Sequence, residues 1–113
     1  VPSREEFKVL YNYVSPEGYE CKWANVLKST SGWPEGANGT DNVGFNAKPA
    51  GYRWYYTGAF NYYQSEVNWW STTQKPSEDN YAYFGEITSS YSMFSTDGNF
   101  FKTEGYSIRC VRN

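Results

Sequence analysis

The stretch Pro2-Ser3-Arg4-Glu5-Glu6-Phe7-Lys8-Val9-Leu10-Tyr11-Asn12-Tyr13-Val14 holds the clearest helix in a chain otherwise patterned for strands and turns. Ser3 is placed to cap the first amides, and Glu6, three residues on, to reach back and close a capping box. Phe7, Leu10, Tyr11 and Val14 follow at i, i+3, i+4 and i+7, which makes one apolar stripe for a core. Pro16-Glu17-Gly18 ends the helix with turn chemistry.

Beyond that turn the pattern changes. Around Trp23, Val26 and Leu27 the segment from Cys21 to Leu27 suits a short helix or a strand, and periodicity leaves both open. From Lys28 to Gly51 the chain is rich in Gly, Asn, Ser, Thr and Pro, a long loop that Trp33 and Phe45 are expected to pin. Tyr52 to Tyr56 and Ala59 to Tyr63, separated by Thr57-Gly58, predict a hairpin. Asn68 to Thr73 predicts the next strand, and Tyr81, Tyr83, Gly85 and Ile87 alternate along another. Tyr91 to Ser95 and Asn99 to Lys102 flank Asp97-Gly98, a two-residue hairpin signal. Tyr106 to Val111 predicts a last strand with Tyr106, Ile108 and Cys110 on one face. One helix followed by short antiparallel strands and long loops gives an α+β fold, with no linker or repeat to divide residues 1–113.

Composition bounds the function. The 113 residues are only 39% hydrophobic, yet they include 5 Trp, 12 Tyr and 7 Phe. Rings that bury about 150–250 Å² each can build a core from few residues and leave many tyrosines for the surface. Ten basic against 12 acidic residues give a net charge of -2, with neither sign in runs, which argues against nucleic acid and anionic membrane as partners. No apolar stretch is long enough to cross a bilayer. The chain opens without Met and without a signal segment, so it is expected to be a piece of a longer chain, secreted or anchored through upstream sequence.

Two cysteines, Cys21 and Cys110, lie near opposite ends, and there is no histidine. A reactive thiol would lack the His that activates such nucleophiles. The structural reading is a disulfide closing a loop of about 90 residues, adding on the order of 4 kcal/mol in the chain-entropy model and implying an oxidising compartment.

Six fragments in order carry a resemblance: Pro2-Ser3-Arg4-Glu5-Glu6-Phe7, Leu27 to Trp33, Asn38 to Ala47, Ala50-Gly51-Tyr52-Arg53, Trp69 to Thr73, and Ser107 to Arg112. Together they resemble the Fibrobacter succinogenes major paralogous domain family, found in secreted or surface-anchored bacterial proteins. The opening helix and closing Ile108-Arg109-Cys110-Val111-Arg112 also look like formylglycine-generating sulfatase modifiers. That likeness implies a C-type-lectin-like fold, with the first helix near the last strand and Cys21 near Cys110. Family members often carry a cysteine upstream of the helix, so Cys110 could pair there instead and leave Cys21 free.

The Glu-Pro-Asn and Trp-Asn-Asp motifs of calcium-dependent lectins are absent, so their sugar-binding mechanism does not carry over. Asn38, Asp41 and Asn42, or Glu78, Asp79 and Asn80, offer oxygen ligands to Ca²⁺. The favoured reading has them in Asx turns and caps, with no cofactor. A glycoside hydrolase would need two carboxylates about 5–10 Å apart, and no motif selects a pair among 12 acids. Trp69 and Trp70 point to opposite faces of their strand and read as structural. By contrast Trp54, Tyr55, Tyr56, Tyr62, Tyr63, Tyr91, Phe94, Asn99 and Phe100 lie beside turns among small polar residues, the composition of binding loops. The expected function is a non-catalytic extracellular recognition module, monomeric as an isolated domain, for a glycan or surface protein. The alternatives are a structural spacer or adhesin subunit and, behind it, a hydrolase.

Overall fold

The computed structural model describes residues 1–15, 23–90 and 94–112. Helix α1 spans Arg4–Val14 and carries the predicted capping box: Ser3 Oγ accepts from the Glu6 amide at 3.2 Å, while the Ser3 amide donates to Glu6 Oε2 at 2.7 Å. Its stripe works as the spacing implies, with Phe7 and Val14 buried and Leu10 and Tyr11 packed at the core's edge. The segment left open in the sequence is helical. In α2, Trp23–Leu27, Ala24 and Leu27 stand at i, i+3 spacing and are both buried.

The long loop packs back on itself as expected. Trp33 is buried and donates from Nε1 to the Ala47 carbonyl at 3.0 Å, and Phe45 stands edge-on to Trp69 with centroids 5.4 Å apart. Trp33 also stacks over Lys28, whose ammonium lies 4.8 Å from the ring centroid.

Strands β3 (Glu66–Gln74), β4 (Tyr81–Thr88) and β5 (Phe94–Phe101) form an antiparallel sheet in that order; β3 extends past both its expected ends and β4 one residue past its second. Alternation divides the sheet's residues between two faces. Val67, Trp69, Ile87 and Phe94 face the helix and join Phe7 in the core. Asn68, Trp70, Phe84 and Glu86 take the opposite face, Trp70 facing Phe84 and Asn68 facing Glu86 across β3 and β4.

Three expectations are corrected. Asp97-Gly98 is not a hairpin turn but lies inside β5. Phe84 pairs with Gly98 and Glu86 with Ser95, so β5 carries one extra residue, a bulge. Asp97 there forms an ion pair with Arg4, tying the bulge to α1. The predicted hairpin is real but short: β1 (Tyr52–Arg53) pairs with β2 (Phe60–Asn61), because the Trp54 amide bonds to the Ala59 carbonyl at 2.8 Å and closes a wide turn. The last strand shrinks to two bridges, Arg53 with Gly105 and Trp69 with Ser107, which wedge residues 105–107 between the hairpin and β3. Past them Ile108 and Cys110 are exposed. Cys110 is exposed and unbridged among the described residues, and the partner expected for it, Cys21, lies outside them.

Candidate functional site: an aromatic ridge over an acidic floor

The sheet face turned away from α1 is covered by rings, not by a second helix. Tyr106, carried in by residues 105–107, lies 4.5 Å from Trp70, 4.8 Å from Phe84 and 5.6 Å from Tyr52, centroid to centroid. Tyr52 stacks on Tyr62 at 5.7 Å with the planes 19° apart. This second cluster explains how a chain with few aliphatics fills both sides of its sheet.

Gly51 sets the hairpin at its height. Its φ is +68°, and a Cβ there would lie 2.3 Å from the Asn61 carbonyl oxygen and 2.7 Å from the Tyr63 amide. No side chain fits at that approach. The chain after β2 then turns sharply, and Tyr62 itself adopts φ 58°.

Above this layer runs a ridge of exposed rings. Trp54, Tyr55 and Tyr56 touch one another at 5.8 to 6.5 Å, and Tyr55 reaches Phe101 at 5.2 Å and Phe100 at 6.4 Å. Tyr56, Phe60 and Tyr63 are 76%, 82% and 72% exposed. A monomeric protein rarely leaves so many large rings in water without use for them. The ridge is anchored from below by Glu104, buried, whose carboxylate accepts the Tyr55 amide at 3.1 Å and whose carbonyl accepts Trp70 Nε1 at 3.3 Å.

Of the residues picked from sequence, Trp54, Tyr55, Tyr56, Tyr62, Tyr63 and Phe100 are exposed around this hairpin and the end of β5. Asn99 is half-buried opposite Tyr83. Phe94 is corrected: it is 1% exposed, edge-on to Phe7 at 5.9 Å, and belongs to the core. Tyr91 lies outside the described residues. Trp69 is core and Trp70 lies on the ring-covered face, the opposite orientations expected.

Sequence reasoning missed Phe60 and the acids beneath the rings. Burial, and with it the charge of the neighbouring Glu66, pushes the Glu86 carboxyl up to about 7. Asn68 Nδ2 donates to Glu66 Oε1 at 2.6 Å. Burial also raises Glu104, though the Tyr55 amide opposes it, and the Tyr106 and Tyr52 hydroxyls are raised by burial and by the surrounding carboxylates. The available signal was polar residues at alternate positions of β3 and β4, facing the side opposite the aliphatics.

The oxygen groups considered for calcium are engaged locally. Asn38 Oδ1 accepts the Trp33 amide at 3.1 Å, Asp41 Oδ1 the Asn46 amide at 2.6 Å, and Asn42 the Thr40 hydroxyl. Glu78 pairs with Lys75 at 2.5 Å, Asp79 accepts from Gln74 at 2.9 Å, and the Asn80 carbonyl accepts from Lys102 at 2.8 Å. Among the described residues no three His, Cys, Asp or Glu side chains gather as metal ligands, and no helix is long and apolar enough to cross a membrane.

Fold and site together define an α+β domain, mostly sheet, with a helix on one face and an exposed aromatic surface on the other. The sequence model of the Fibrobacter succinogenes major domain family matches residues 1–112, and the chain belongs to that bacterial family of paralogous domains. No curated protein matches it, and no solved structure does.

Proposed function

We propose that this domain is a non-catalytic recognition module of a bacterial secreted or cell-surface protein, holding a glycan or protein ligand against the ridge. The observation that carries the reading is the run of exposed, mutually touching rings from Trp54 to Tyr56, continued by Phe100. Rigid rings supply contact area at low entropic cost, and flat ones stack on sugars. A C-type-lectin-like chain path is part of the proposal. It is supported by the leading helix, the antiparallel strands, and the apposition of Pro2, Phe7 and Leu10 to Arg109 and Val111 around one hollow.

Hydrolysis is the weaker reading, because no motif selects a carboxylate pair among the 12 acids.

The test is a glycan-array and surface-protein binding screen of the domain beside Tyr55→Ala and Tyr63→Ala. Binding that falls at least about tenfold in the variants, with melting temperature unchanged, supports recognition. Absent binding together with lowered melting temperatures would favour a structural spacer packed on neighbouring domains.

A further inference from the structure

The register of the short hairpin sets an amide among rings. Tyr52 pairs with Asn61 across β1 and β2, so their side chains leave the same face. Tyr62, next along the chain, would point to the other face if the strand continued. Its φ of 58° turns the chain instead, and its ring stacks on Tyr52. Together with Trp54 these three wall an open hollow of about 390 Å³, within the range of about 300–1,000 Å³ common for small-ligand sites. The turn that places Tyr62 is itself held: its carbonyl accepts the Ser65 and Glu66 amides at 2.9 and 3.1 Å, and the Gln64 amide donates to the Pro49 carbonyl at 2.9 Å. A hollow formed in advance costs little further ordering when it is filled.

The chemistry of the wall narrows what can fill it. Three of the four residues are rings, and none carries a charge. Asn61 is half-buried, and its side-chain amide bonds to nothing among the described residues. That amide offers two donors and an acceptor beside flat apolar faces. An apolar side chain from a protein partner would cover the rings and leave the amide desolvated and unmet. A carboxylate would leave water with no cation in the wall to receive it. A neutral sugar ring answers both parts of the wall. Its C–H face lies against aromatic faces, whose negative charge attracts such hydrogens, while its hydroxyls donate and accept at the edge.

We propose that this hollow is a subsite for one neutral pyranose residue of an oligosaccharide, resting against Trp54 and Tyr62 and bonding neighbouring hydroxyls to Asn61. The inference rests on the recognition reading and narrows its ligand to a glycan uncharged at this residue. Trp54 also touches Tyr56 at 5.8 Å, so the exposed ridge continues from the rim of the hollow. Flanking sugars of a longer chain then lie along the ridge, and a hexamer binds more tightly than a monosaccharide.

The experiment follows the Asn61 side-chain amide and the Trp54 indole N–H by NMR. The domain is titrated with neutral hexamers of glucose, mannose and galactose, a glucosamine hexamer and a glucuronic acid hexamer. The expected result is a saturable shift of both signals with at least one neutral hexamer, bound at least about tenfold more tightly than the uronic acid and at least about tenfold more weakly by Asn61→Leu. Asn61→Leu keeps the side chain's bulk and removes its hydrogen bonds; Trp54→Ala decides the matter if that variant does not fold. Equal binding of neutral and uronic hexamers, preference for glucosamine, or undiminished binding by both variants overturns the inference, as does failure of every hexamer. If every hexamer fails while a surface protein still binds and Tyr55→Ala abolishes that binding, the subsite falls and the recognition reading stands. If neither sugar nor protein binds, both fall.

Discussion

Tyr62 concentrates the site's design in one residue. Its ring stacks on Tyr52 and lines the hollow, while its backbone sits at φ 58°, a region a bulky residue seldom adopts. Strain of this kind costs roughly 1–3 kcal/mol and persists where the surroundings over-determine it. Here the close approach of Gly51 to residues 61–63 does so. Two truncations separate ring from backbone. Tyr62→Ala loses the ring and keeps the strain; Tyr62→Gly loses the ring and relieves it. In urea unfolding the Gly variant should exceed the Ala variant by about 1 kcal/mol, although glycine costs more unfolded-chain entropy. Equal stabilities, or a more stable Ala variant, would show that the backbone there is unstrained.

At the scale of elements, β5 is where side-chain packing overrode local turn chemistry. A Cβ on Gly98 would lie 2.5 Å from Phe84 Cζ, so the glycine makes room for a ring on the facing strand. Gly98→Ala should cost roughly 2 kcal/mol, as overpacking does. If the cause is the ring, the penalty shrinks by more than half in a Phe84→Ala background, read by a double-mutant cycle in urea. An undiminished penalty would place the requirement in the backbone of the bulge. The same distinction explains what the sequence revealed. The capping box, the apolar stripe of α1 and the alternation of β3 and β4 depend on neighbours a few residues away, so they were legible. Asp97-Gly98 reads as a turn until Phe84 and Arg4, remote in sequence, are placed against it. Phe94 reads as a loop aromatic until Phe7 covers it. Trp54, Tyr55, Tyr56, Tyr62 and Tyr63 were legible as surface because they sit beside turns among small polar residues. Glu66, Asn68 and Glu86 were not, because the residue that roofs their face, Tyr106, arrives from the far end of the chain.

Across the whole molecule, burying acids without basic partners makes stability depend on pH in an unusual sense. Most folded proteins hold carboxyls below their unfolded values and lose stability as acid protonates them. Glu86 is held above its ordinary range, up to about 7, by burial and by Glu66, so the fold favours its neutral form. Below the usual carboxylate range both folded and unfolded chains carry the proton, and its contribution is fully present. As pH rises the unfolded chain releases its proton first, and that contribution drains away until the folded carboxyl ionises near 7. The shift corresponds to at most about 3 kcal/mol. Burial raises Glu104 in the same direction, while Glu6, lowered by its hydrogen bonds with Ser3, acts the opposite way on the helix cap. Urea unfolding followed between pH 4.5 and 8 should therefore show Glu86's share as a difference from Glu86→Gln, a side chain that stays neutral throughout. The parent should lose stability relative to the variant as pH climbs, and the variant should be the more stable protein at pH 8. A constant difference across the range would mean that Glu86 ionises normally in the fold, and that the acidic floor is open to water.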